Sequence, residues 1–449
     1  MKPVIAIFDI GKTNKKVLLF DEKLQLVYQQ EDKFDTIADE DRFECDDIEQ
    51  IERWIQTQLE SFIKGGEYDV KAVNFSTYGA TLMHLNGNGK RVTPLYNYLK
   101  PVSEKYASSL FAAYGGKDEF CRKTASPNNG MLLNSAVQFL WLKAEIPAVY
   151  RTIKTSLHFP QYLTYALTGK ITSEPTSIGC HTFMWDYDKM EYHQWLKDLG
   201  VKLPQPVNND VTYPVEIAGK QIEVGTGIHD SSASLVPYLK GSKEPFILVS
   251  TGTWCITMNP FNREPLTAEQ LASDCLCFLT PERKQVKSSR LFMGHFHETW
   301  AAKIAEHFQK PTTSYINITW TPETLAEVKA KFALPVYFKA GKESFEEGLK
   351  NVDLSVFASY EEAYQQLLLE LASMAIETIE LVIPKDDITQ KIYVSGGMAQ
   401  SKLLIYLLQQ HFATKEIVTS EVGNASALGA ALVIAEKQGF KPEIKLSKE

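Results

Sequence analysis

From Phe8 to Lys16 the chain reads FDIGKTNKK, which places a carboxylate, a glycine, two small polar residues and three lysines side by side. Such a set can hold an anion. Gly11 lets backbone amides approach closely, Thr13 and Asn14 can hydrogen-bond phosphate oxygens, and Lys12 or Lys16 can neutralise them. Asp9 is suited to hydrated Mg2+. A Walker A loop would need a glycine five residues before Gly11, where Ala6 stands, and the residues between are strand formers. The anion site is therefore expected at a strand-to-strand hairpin, although an ordinary polar hairpin uses the same residue types.

Two further turns carry related chemistry. Thr251, Gly252 and Thr253 follow the apolar run FILVS, and VSGGMAQSKLL at 394–404 puts Gly396 and Gly397 before a helix opened by Ser401. The first could contact phosphates, and the second could border a flat base or ribose. Asp230 lies in GTGIHDSSASLVPYL, where a glycine-rich strand end meets small residues. Phosphoryl transfer to an alcohol needs a base for the hydroxyl proton and a metal to spread charge, and a carboxylate placed there serves both needs. Aspartate is also a good helix N-cap. The adjacent His229 is either a ligand contact or an interior imidazole.

These turns need rigid elements behind them. VIAIFDI and Val17–Phe20 read as two strands around the first turn, and FILVS and WCITM repeat that grammar around the second. The recurrence predicts an α/β chain of two duplicated halves, 1–240 and 241–449, divided at the turn-rich GSKEP. Val73–Ser76 and Thr81–Leu85 are expected as strands with NGNG as a hairpin turn. Helices are expected over 134–145 and 160–168, from Ser359 to Pro384, from Ser401, and over ASALGAALVIA.

With 449 residues, 44% hydrophobic and 23% charged, the chain can build two cores, and the cleft between two such halves would suit a small molecule. A formal charge of −8 supplies no overall field for nucleic acid or an anionic membrane. No apolar stretch approaches the roughly 20 residues that span a bilayer, and the opening MKPVIAIFDIG has too short an apolar run for a secretory signal. A cytoplasmic protein is expected. The six cysteines include no CxxC pair, and Cys275 and Cys277 lack the further Cys of a zinc motif.

Taken in order, FDIGKTNKK, GIHDSSAS, VSTGTW, VSGGMAQSKLL and ASALGAA resemble the FGGY carbohydrate kinases over nearly the whole chain. That resemblance implies two actin-like (ribonuclease H-like) domains with an interdomain cleft, the first binding the sugar and the second MgATP. It implies Asp230 as general base, phosphate contacts from 11–14 and 251–253, and Gly396, Gly397 and Ser401 beside adenosine. His229-Asp230 followed by small residues is similar to the rhamnulose and fuculose kinases, which implies a ketose such as L-fuculose or L-rhamnulose as acceptor. FSTYGATLMHL aligns with the family's sugar-facing loop, placing Tyr78 and His84 toward the sugar, with Gln161 beside them. Asn97-Tyr98, Gln138 and Gln161 depart from the family pattern, and these departures bear on the acceptor rather than on the kinase chemistry. The alternative is an actin-like ATP-binding scaffold or sugar-sensing module without turnover.

Overall fold

The computed structural model describes residues 1–332, 338 and 352–447. The chain divides into two compact units, one made of Met1–Ser242, Arg263–Val286 and Val422–Leu446, the other of Lys243–Asn262, Lys287–Glu421 and Ser447–Glu449. Two continuous spans, 1–240 and 241–449, do not describe this division, because two later segments pack into the first unit.

The first unit is built on a mixed sheet in the order Thr212–Ile217, Lys220–Gly225, Tyr68–Thr77, Lys2–Ile10, Lys15–Phe20, Leu26–Asp32. Within Lys2–Ile10, Val4–Phe8 reads as an unbroken apolar run because the sheet is covered on both faces. Val4, Ala6, Phe8 and Ile10 enter one core with Ile51, Ile55 and Leu59, whereas Ile5 and Ile7 enter another with Ala233, Val236, Ala427 and Ala430. The helix Ile48–Gly65 covers the first face. Its N-cap Asp47 accepts bonds from the amides of Glu49 and Gln50, and it ends at Gly66 with φ 73°.

The second face carries the helices Asp230–Gly241 and Ala425–Ala435. Their small residues permit a very close approach. A Cβ on Gly429 would lie 1.8 Å from the Ala233 carbonyl oxygen, so only glycine fits there. Asn74 ties this layer to the sheet, donating to the Ala430 carbonyl at 2.8 Å and accepting from the Gly227 amide at 2.9 Å.

In the second unit the strands Gln285–Leu291, Cys255–Asn259, Phe246–Thr251, Lys391–Gly396 and Glu416–Thr419 lie side by side in that order. The first two pairings are antiparallel and the last two parallel. Leu26–Asp32, Lys15–Phe20, Lys2–Ile10 and Tyr68–Thr77 repeat the pattern in the first unit, which is the duplication the two hairpins predicted. The helix Tyr360–Glu380 packs over the second sheet, with Ser359 accepting from the Glu362 amide.

One hairpin differs from expectation. Asn86–Gly89 forms a tight turn, but beyond it the chain returns only a single bridge, Leu85 to Arg91. Leu82–Leu85 pairs instead with Thr155–His158. The Arg91 guanidinium there lies 2.6 Å from Glu52 of the helix Ile48–Gly65.

Candidate active site

Three parallel strands of the first unit end together, and the register fixes what they present. Asp9 lies opposite Ser76 on one side and Lys16 on the other, while His229 lies opposite Thr77. The loops at the carboxyl ends of parallel strands are where open α/β sheets bind ligands. Asp230 follows as the first residue of its helix. His229, not Asp230, occupies the N-cap and makes no side-chain cap bond, so capping does not account for the aspartate.

Asp9 and Asp230 are close enough that the charge of Asp230 helps raise the pKa of Asp9. Burial pushes Asp9 up to about 6, against the hydrogen bond from the Ser426 hydroxyl and the charge of Lys16. The Ser426 hydroxyl donates to Asp9 Oδ2 at 2.9 Å. Desolvation lifts Asp230 to about 6 as well, countered by the Ser231 amide, which donates to Oδ1 at 2.6 Å. Its side chain keeps 34% of its surface exposed and stays within reach of a ligand. Two carboxylates, with the buried and unpartnered Asn14 Oδ1 in the adjoining turn, make an all-oxygen set that suits Mg2+. Among the described residues no three His, Cys, Asp or Glu form a metal cage, and Mg2+ needs none when phosphate and water complete its shell.

The first turn departs from expectation at Lys12. Lys12 Nζ lies 2.9 Å from Asp46 Oδ2, which occupies it away from the role of phosphate neutraliser. Asn14 Oδ1 is an acceptor suited to a hydroxyl or a metal-bound water, while the amide NH2 of the same side chain can still donate to a phosphate oxygen. Gly11 closes the turn by donating to the Asn14 carbonyl at 3.0 Å, Thr13 is exposed, and Lys16 faces Glu31 at 3.5 Å.

The four residues expected to face the sugar fall differently. His84 is fully buried on Leu82–Leu85, its ring nitrogens 2.8 Å from Ser156 Oγ and 3.3 Å from Gln138 Oε1, and burial lowers its pKa to about 4. Gln161, also fully buried, donates to the Thr226 carbonyl at 3.0 Å and braces the turn that leads to Asp230. Both stand here as interior struts, with Gln161 Oε1 left without a partner. Tyr78 packs against Tyr98 and Phe159 and donates its hydroxyl to Asp46 Oδ2 at 2.7 Å, so little of its ring is open for stacking. His229 is close to the base. Its Nε2 lies 3.2 Å from both Asp230 Oδ1 and Cys180 Sγ, and burial lowers its pKa to about 3, leaving it neutral. Gly79 makes room for that ring, since a Cβ there would come within 2.7 Å of it.

Sequence reasoning missed Asp46, Ser426, Cys180 and His158. His158 is buried with neither ring nitrogen partnered, and burial lowers its pKa to about 3. Only Ser426 carried a signal, as part of the small-residue helix already noticed.

In the second unit Thr251 and Gly396 are paired in register at the ends of parallel strands. The Thr251 hydroxyl donates to the Ser395 carbonyl at 2.5 Å and accepts from the Met398 amide at 3.1 Å, so it clasps the two turns together instead of standing free for phosphate. Gly396 has φ 87°, and a Cβ on it would meet the Thr251 carbonyl oxygen at 1.7 Å. Gly397 borders open space, as does Gly252, whose nearest neighbour to an added Cβ is 3.8 Å away. Thr253 is exposed. Ser401 caps the helix Lys402–His411, accepting from the Leu404 amide at 3.3 Å.

Comparison with known proteins points to one family along the chain. A rhamnulokinase from Oceanobacillus iheyensis is 24% identical over 95% of this chain and 91% of its own length. A carbohydrate kinase from Novosphingobium aromaticivorans superposes with a TM-score of 0.79 at 22% identity, covering 99% of this chain and 93% of that one. A xylulose kinase from Lactobacillus acidophilus gives 0.78 at 16% identity, covering 98% and 91%. The N-terminal domain model of the FGGY family of carbohydrate kinases matches residues 4–214, and the C-terminal model of the same family matches 243–442. With both models matched in order and the paired hairpins to go with them, the chain belongs to the FGGY carbohydrate kinases.

Proposed function

We propose that this carbohydrate kinase transfers the γ-phosphoryl group of ATP to a hydroxyl of a deoxyketohexose such as L-fuculose or L-rhamnulose, with Asp230 as general base. The observation that carries the mechanism is Asp230 itself, an accessible carboxylate at a strand end whose pKa of about 6 leaves it ionised, yet more basic than an ordinary aspartate, near neutral pH. Asp230 accepts the proton of the attacking hydroxyl as the oxygen closes on phosphorus. Neutral His229 sits against its Oδ1 and limits the rotamers the carboxylate can adopt. Asp9, held by Ser426, stays in place for the metal. When bound, Mg2+ offsets negative charge on the transferring phosphoryl group.

The nucleotide is assigned to the second unit, where Gly252 and Gly397 leave the backbone open to approach. The acceptor class is supported by the His-Asp pair before small residues and by curated relatives named rhamnulokinase. We place the activity in the cytoplasm. No helix among the described residues is long and apolar enough to cross a membrane, and the six cysteines are buried and form no disulfide, in keeping with a reducing compartment.

Sugar-dependent ADP release, measured across ketoses, aldoses and polyols, tests the reading. Turnover should be fastest with a 6-deoxyketohexose. MgATP binding with no ADP release for any acceptor would instead leave a scaffold or sensor.

A further inference from the structure

We propose that Lys12, although it lies in the first phosphate turn, serves the acceptor sugar, and that Asp46 is the positioning residue that aims it there. This rests on the kinase reading above and concerns the same site.

Lysines 12, 15 and 16 divide by direction. Successive residues of a strand point to opposite faces, so Lys15 turns inward while Lys16 stays beside Asp9. Lys15 is 1% exposed and holds two things at once, Asp46 Oδ1 at 2.7 Å and the Lys12 carbonyl at 3.1 Å. That fixes the backbone of the turn relative to the buried carboxylate. The other oxygen, Asp46 Oδ2, takes the Lys12 ammonium at 2.9 Å and the Tyr78 hydroxyl at 2.7 Å. Lys12 Nζ is thereby held 5.7 Å from the centre of the Tyr78 ring. Burial alone would lift the Asp46 pKa, but Lys12, Lys15 and Tyr78 outweigh it and keep the group ionised.

Only one member of this cluster is open. The Lys12 side chain is 21% exposed, against 2% for Lys15 and 5% for Asp46. An ammonium carries three donors, and one is engaged by Asp46. The remaining donors suit the oxygens of a polyol, which are acceptors throughout. Two cations share one carboxylate, so Lys12 can bond a neutral sugar oxygen without giving up its ion pair. An anionic phosphate, unlike a neutral hydroxyl, competes with Asp46 for the ammonium, and drawing Lys12 off would leave the buried carboxylate with one fewer donor. Lys16, which is not part of the cluster and acts on Asp9, remains the cation on the phosphate side.

The test uses the full chain with Lys12→Met, Lys12→Arg, Asp46→Asn and the Lys12→Met/Asp46→Asn double variant. Steady-state KM for MgATP and for the best acceptor is read beside thermal melting. A hydrogen bond from a charged donor predicts that Lys12→Met raises the acceptor KM by about tenfold to a hundredfold, and that Lys12→Arg recovers part of the loss. The KM for MgATP should stay within about twofold. Asp46→Asn should shift the acceptor KM in the same direction, and the double variant should bind acceptor no worse than Lys12→Met, because Asp46 acts through Lys12. If Asp46→Asn does not fold, the two Lys12 variants still decide. A rise in the MgATP KM with the acceptor KM unchanged overturns the proposal, as does a lowered melting temperature with both KM values intact. A wild-type protein that turns over no acceptor would defeat the kinase reading itself, and this proposal with it.

Discussion

An aspartate that accepts a proton near neutral pH must be a better base than one in water, and burial supplies this at Asp230. The cost appears in stability. A carboxylate whose folded pKa is about 6 against an ordinary value near 4 favours the folded state fully below pH 4, and that contribution is lost as the pH rises through 6. Asp230→Asn should therefore melt no lower than wild type at pH 7.5, while turnover falls by about 10² to 10⁴. A folded variant with near-normal ADP production would remove Asp230 from the mechanism. The same basicity sets the acid limb of the rate profile. kcat/KM should fall as the pH drops below about 6, with apparent values that belong jointly to Asp9 and Asp230. An acid limb near pH 4 would show that neither group controls the rate. Asp9 and Asp230 were legible in the sequence because each stands where an apolar strand stops. Asp46 was not, because its short strand Glu44–Asp46 carries no pattern and its partners Lys12, Lys15 and Tyr78 are remote in sequence. The direction of the Lys12 side chain was equally hidden, since composition names a cation but not the carboxylate it will find.

At the scale of elements, the glycines separate into those the fold requires and those it leaves open. Gly252 and Gly397 have no close neighbour, so a side chain there does not strain the protein. Gly252→Val should keep its melting temperature and lose at least about tenfold in MgATP affinity by calorimetry, which is roughly 1.4 kcal/mol. Unchanged affinity would remove this turn from the nucleotide site. Gly396, in contrast, is fixed by its positive φ and by Thr251. The helix pair obeys the same logic. Gly429→Ala should cost about 1 to 3 kcal/mol or more in denaturant unfolding, because the methyl group meets a backbone carbonyl that cannot move alone. The hairpins and the small-residue helix were readable from alternation and composition. What Leu82–Leu85 pairs with was not, because a tight turn at Asn86–Gly89 looks the same whether or not a full strand follows.

At the scale of the molecule, the first unit is assembled from three stretches of chain. A fragment ending at residue 240 lacks the helix Ala425–Ala435, and with it Ser426 on Asp9, the Ala430 carbonyl that receives Asn74, and half of one core. Expressed alone, residues 1–240 should show no cooperative melting transition by circular dichroism, and a sharp one would mean that the late helix is dispensable. The helix that finishes the first sheet also leaves the ribosome after every strand of the second. During synthesis, Ile5, Ile7 and Leu18 gain only part of their cover from Asp230–Gly241 and stay incompletely covered until Ala425–Ala435 emerges, so the nascent protein keeps an apolar face open while the second unit is made. A ribosome that stops early therefore yields a product that chaperones and proteases can recognise as incomplete, and one without the serine that steadies Asp9.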